Sequence, residues 1–87
     1  MSNLIIETKF TVTWNRPVYV RIGNGAVEAV RGPEDGLHYL YHRWPYMHDD
    51  LCELAQCDCL KAIQKELPCD RALDAFINAA TRAGMLA

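Results

Sequence analysis

Gly32-Pro33-Glu34-Asp35-Gly36-Leu37-His38-Tyr39-Leu40-Tyr41-His42-Arg43-Trp44-Pro45 divides the chain into two unlike halves. Before it, apolar residues recur at every second position, the period of a strand with one buried face; after it, they recur every three or four, the period of a helix. The segment itself reads as a helix between two prolines. Pro33 suits the first turn, where its missing N–H is no loss, and Glu34 and Asp35 lie at the positive end of the helix dipole. Leu37, Leu40, Tyr41 and Trp44 fall at i, i+3, i+4 and i+7 and form one apolar stripe. Pro45 disfavours helical geometry at Trp44 and ends the helix there.

Working back from this joint, Gly23-Asn24-Gly25-Ala26 is the strongest turn signal, with Asn-Gly at the central positions of a type I′ hairpin. Taken literally, it pairs Ile22 with Val27, Arg21 with Glu28, Val20 with Ala29 and Tyr19 with Val30. Apolar partners then share a face and Arg21 meets Glu28 on the other. Between Leu4 and Trp14, the residues Leu4, Ile6, Phe10, Val12 and Trp14 alternate with Glu7, Lys9, Thr11 and Thr13 and predict an earlier strand. A three-residue loop, Asn15 to Pro17, sets Trp14 beside Val18, Val12 beside Val20 and Phe10 beside Ile22.

Working forward, a second helix is predicted from about Met47–Asp49 to about Leu67. It places Leu51, Cys52, Ala55, Cys59, Ala62 and Ile63 on one arc and Asp58, Lys61 and Lys65 opposite. Pro68 stops it. The third helix, Cys69 to about Ala83, directs Ala72, Phe76, Ala80 and Ala83 inward, flanked by Leu73 and Ile77. Gly84 is a natural terminator, and Met85-Leu86-Ala87 can fold back as an apolar cap. The expected architecture is α+β, a three-stranded antiparallel meander followed by three helices packed on one face. It forms one small domain over residues 1–87, with sheet in 1–31 and a helical layer in 32–87.

The 87 residues suffice for one core, and 51% hydrophobic against 23% charged residues is ordinary globular composition. A formal net charge of −2 disfavours nucleic acid as the main partner. No apolar run reaches the length of a membrane span, and the N-terminus lacks the basic and apolar regions of a signal peptide. A cytoplasmic protein without a membrane partner is therefore expected, with its four cysteines as free thiols.

Cys52, Cys57, Cys59 and Cys69, with His48, make up the metal or thiol alternative. Their spacing, C-x4-C-x-C-x9-C, lacks the close C-x2-C pairs of zinc sites. Cys52 and Cys59 share a helix face but lie roughly 10 Å apart along the axis. Incidental core cysteine is the simpler reading, and neither a metal nor a cofactor is expected. His38 and His42 stand at i, i+4 without an HExxH pattern and read as a solvated pair, with Asp35 or His48 as conceivable third ligands. Ser2 is the single serine, so no serine nucleophile is at hand, and the adjacent acids at helix starts are explained by the dipole. Catalysis is not expected. Tyr19 and Arg21, with Lys9 and Thr11 or Thr13 nearby, faintly resemble a base-stacking sheet face and make weak single-stranded nucleic-acid binding a further alternative, although any solvated sheet displays such residues. The favoured role is a non-catalytic interaction or regulatory module that binds itself or another protein. It would use Leu4, Ile5 and Ile6, which extend the first strand beyond its partner, and the Tyr19 and Arg21 face.

Several short motifs occur together in order: Trp14-x-x-Pro17-Val18, Val30-Arg31-Gly32-Pro33, Arg43-Trp44-Pro45, Ala55-x-x-x-Cys59-x-x-Ala62 and Ala75-Phe76-Ile77-x-Ala79-Ala80. Over about Thr13 to Met85 the chain resembles a family of short proteins of unknown function from soil bacteria. In that family an arginine commonly follows the alanine that here is Ala72, whereas this chain has Leu73. The resemblance implies a soluble, stand-alone bacterial protein with a small sheet and C-terminal helices. It implies no activity.

Overall fold

The computed structural model describes residues 13–44 and 48–87. Strands β1 (Val18–Arg21) and β2 (Val27–Val30) form an antiparallel hairpin. Helix α1 (Pro33–His38) follows and runs into a π-helical turn, Tyr39–Arg43. Helices α2 (Asp50–Ile63) and α3 (Cys69–Arg82) complete the described chain, α2 packing chiefly on α3 and α1. The class is α+β with three helices, as the periodicities require. The sheet, however, has two strands among the described residues instead of three.

Part of the expected first strand, residues 4–12, lies outside the described residues, but its proposed place beside β1 is taken. The C-terminal tail occupies that edge: Arg21 N–H donates to the Met85 carbonyl at 2.8 Å and Ala87 N–H to the Tyr19 carbonyl at 2.9 Å, with Val20 and Leu86 directly opposed. Trp14 is not the strand partner of Val18, which pairs with Val30. Its N–H donates to the Arg31 carbonyl (3.1 Å) and its indole Nε1–H to the Val30 carbonyl (3.0 Å), fastening it to the end of β2.

The hairpin is also one residue out of the expected register. Val18 pairs with Val30, Tyr19 with Ala29, Val20 with Glu28 and Arg21 with Val27. Gly23, with φ +59°, holds the positive-φ position, and Gly25 N–H donates to the Ile22 carbonyl at 3.0 Å. The turn is therefore centred on Gly23-Asn24, with Asn24 outside the left-handed region. A slip of one reverses which face each β2 side chain joins. It buries Val30 beside Val18 and Val20 and leaves Val27 exposed. The expected Arg21 to Glu28 pair is thereby lost, because Glu28 turns toward the helices.

Helix α1 presses on the core through Gly36. A Cβ there would stand 3.1 Å from Trp14 Cη2, 3.3 Å from Phe76 Cδ1 and 3.4 Å from Cys59 Sγ. This close approach centres the buried face on Pro33, Gly36, Tyr39 and Leu40, rotating it away from the expected stripe. Leu37 and Trp44 are consequently half-buried and Tyr41 is exposed.

Helix α2 begins at Asp49, whose carboxylate accepts Cys52 N–H at 2.9 Å as an N-cap. It stops short of the expected Leu67. Lys65 takes φ +66°, and Lys65 and Glu66 donate N–H groups back to the carbonyls of Ala62 and Lys61, the two bonds of a Schellman ending. The same device closes α3: Gly84 has φ +72°, Met85 N–H reaches the Ala80 carbonyl at 2.9 Å, and Met85 is buried. The expected inward arcs hold otherwise, with Cys52, Ala55, Cys59 and Ala62 of α2 and Ala72, Phe76 and Ala80 of α3 buried. Alanine on α3 lets α2 approach closely. No described helix is long and apolar enough to cross a membrane.

Candidate functional site

The residue types able to carry chemistry are dispersed. Cys52 and Cys59 point into the core, Cys57 is exposed, and Cys69 is partly buried with its thiol against the Thr13 carbonyl at 3.7 Å. Burial pushes the Cys59 thiol up to about 12, and burial likewise raises those of Cys52 and Cys69. A thiol raised in this way carries little thiolate near neutral pH, the form that acts as a nucleophile. His48 lies beside Gln56, its Nδ1 3.5 Å from the amide nitrogen. Among the described residues, no three His, Cys, Asp or Glu side chains converge on a point that could hold a metal ion.

The most developed polar cluster escaped sequence reasoning. Glu28, placed inward by the shifted register, accepts the Tyr39 hydroxyl at 2.5 Å and a bidentate pair from Arg43, Nη1 at 2.5 Å and Nη2 at 2.9 Å. The guanidinium also lies 5.0 Å from the centre of the Tyr39 ring, within cation–π range. Each member satisfies the others, so the group latches the hairpin to the π-turn. The i, i+4 relation of Tyr39 and Arg43 was visible in sequence, but their partner depends on the hairpin register.

Arg43, with Tyr39 adding to it, holds the Glu28 carboxyl below the usual glutamate range. A depressed carboxylate contributes stability above the unfolded-state value of about 4.3 and loses it as pH falls through the folded value. Stability measured by urea unfolding is therefore expected to drop as pH is lowered from about 4.3, and Glu28→Gln to flatten that drop while lowering stability at neutral pH. An unchanged acid slope would show that the latch makes no contribution to it.

Of the expected interaction residues, Leu4, Ile5 and Ile6 lie outside the described residues. Tyr19 and Arg21 are exposed on the outer sheet face opposite Ala29 and Val27, with Tyr19 51% and Val27 44% accessible. A shallow hollow of about 220 Å³ beside Tyr19 is bounded by Arg16, Pro17, Ile77 and Leu86. Val18 and Ala87 complete its lining, in which Arg16 is the one charged side chain.

The model of a family described as protein of unknown function (DUF982) matches residues 16–87, so the chain belongs to that family. No curated protein and no solved structure matches.

Proposed function

For this member of a family without an assigned activity, we propose a small cytoplasmic, non-catalytic interaction module that self-associates. The observation that carries this reading is the outer edge of β2. Strand β1 is flanked by β2 on one side and by the tail on the other, whereas β2 has a partner on one side only among the described residues. Proteins commonly blunt such an edge with charge. Here the one charged side chain of β2, Glu28, is drawn inward by Arg43 and Tyr39, and Val27 is left exposed. The carboxylate of β2 is thus half-buried and paired with Arg43 instead of standing free at the edge, which suits antiparallel pairing with β2 of a second copy, an arrangement that is self-complementary about a two-fold axis. Leu4, Ile5 and Ile6, the apolar residues that the sequence offers for self-association, lie outside the described residues and are tested separately.

Light scattering coupled to size exclusion tests this on three full-length chains: the parent, Val27→Lys, and a Leu4→Asp, Ile6→Asp double variant. The parent is expected to be a dimer, with either change shifting it to monomer. A monomeric parent overturns self-association, and a dimer that survives both changes overturns these surfaces as its basis.

A further inference from the structure

We propose that His38 and His42 together form a two-imidazole site for a borderline divalent transition-metal ion of the Zn²⁺, Ni²⁺ or Cu²⁺ class. Both side chains are exposed at the junction of α1 with the π-turn. Their ring centres lie 5.1 Å apart with the planes inclined at 47°. Two imidazoles that bind one ion through nitrogens at about 2.0–2.1 Å put each ring centre roughly 3.2 Å from the metal, and at a tetrahedral angle the centres are then about 5 Å apart. The observed separation matches that requirement, and both rings are exposed, so their nitrogens can be turned toward one ion. Imidazole nitrogen suits these ions in particular.

The backbone beneath the pair is held in place. Tyr39 and Arg43, the residues that follow the two histidines, are the two arms of the latch on Glu28. Two histidines borne by a clamped turn lose less freedom on binding than two on a loose segment. The conceivable third ligands are engaged elsewhere: the Asp35 carboxylate accepts Arg31 N–H at 3.2 Å, and His48 lies beside Gln56. The site therefore offers two protein nitrogens from the described residues and leaves the remaining positions to water. It involves neither the cysteines nor the β2 edge, and it stands whether or not the chain self-associates.

Titration calorimetry with NiCl₂ at near-neutral pH tests the site on the full-length chain carrying Cys57→Ser, which removes the exposed thiol as a competing ligand. One-to-one binding is expected. His38→Ala and His42→Ala, both at exposed positions and checked for folding by circular dichroism, are each expected to weaken it by about tenfold or more, since even outer-shell changes cost that much. Absence of binding up to millimolar Ni²⁺ overturns the proposal. So does equal affinity in the folded histidine variants.

Discussion

Phe76→Ala is expected to destabilise the protein by about 3–5 kcal/mol, the cost of removing a fully buried aromatic ring. Phe76 is 0% exposed and lies between two indoles, its ring centre 5.7 Å from that of Trp14 and 6.0 Å, edge-on, from that of Trp44. The cavity left by the ring cannot readily collapse. Trp14 is tied to the Val30 carbonyl by its indole N–H, and α1 already touches the site through Gly36. A domain of this size has a total stability of roughly 4–13 kcal/mol, so the substitution removes a large share of it. Urea unfolding followed by tryptophan fluorescence measures the loss, and Phe76→Leu, which refills much of the volume, should cost less than about 1.5 kcal/mol. A midpoint for Phe76→Ala equal to that of the parent would show that the two indoles do not pack around this ring.

Gly36→Val is the second large effect, with an expected loss of about 2–3 kcal/mol from overpacking. The glycine is required by space and not by backbone conformation, since its φ lies outside the left-handed region. The first added carbon would meet Trp14, Phe76 and Cys59 at 3.1–3.4 Å, and the valine methyl groups would enter atoms already in contact. Gly36→Ala separates this cause from helix propensity. Alanine recovers about 1 kcal/mol of intrinsic helix preference against the steric cost of a Cβ at 3.1–3.4 Å from its neighbours, so its net effect should lie within about 1 kcal/mol of zero. Equal stability of the valine variant and the parent would mean that α1 does not press on the core at Gly36.

The contrast between these residues shows what periodicity carries. Phe76, Ala72 and Ala80 were legible as core because a 14-residue amphipathic helix repeats its signal over several turns. The same holds for Cys52, Ala55, Cys59 and Ala62 on α2. Gly84 and the apolar Met85 behind it announced the folded-back tail, because a Schellman ending depends on a local positive φ. For α1, a helix of six residues followed by a π-turn, the pattern was too short to fix the face to better than one residue. There the close fit of Gly36 decided, and Tyr39 went in where Tyr41 was expected.

The β residues tell the opposite story. Gly23-Asn24-Gly25 marked a hairpin correctly, yet local turn preference chose the wrong centre. Its advantage is small beside burial of Val30 with Val18 and Val20 and placement of Glu28 against Arg43. That one-residue choice also governs the candidate sites. It turns Glu28 of β2 toward Arg43, leaves Val27 exposed, and sets the latch that steadies His38 and His42. The i, i+4 spacing of the histidines could be read at once; the 5.1 Å separation of their rings could not.

The amino-acid sequence by itself determined the class of this protein, the location of its hairpin and helices, and the apolar faces of the two long helices, because each rests on interactions within a few residues. Only the tertiary structure decided the strand register, the pairing of the tail with β1, the face of α1 and the Glu28–Tyr39–Arg43 latch. Each of these depends on contacts between segments distant in the chain, whose energies are settled by how well the surfaces fit when packed.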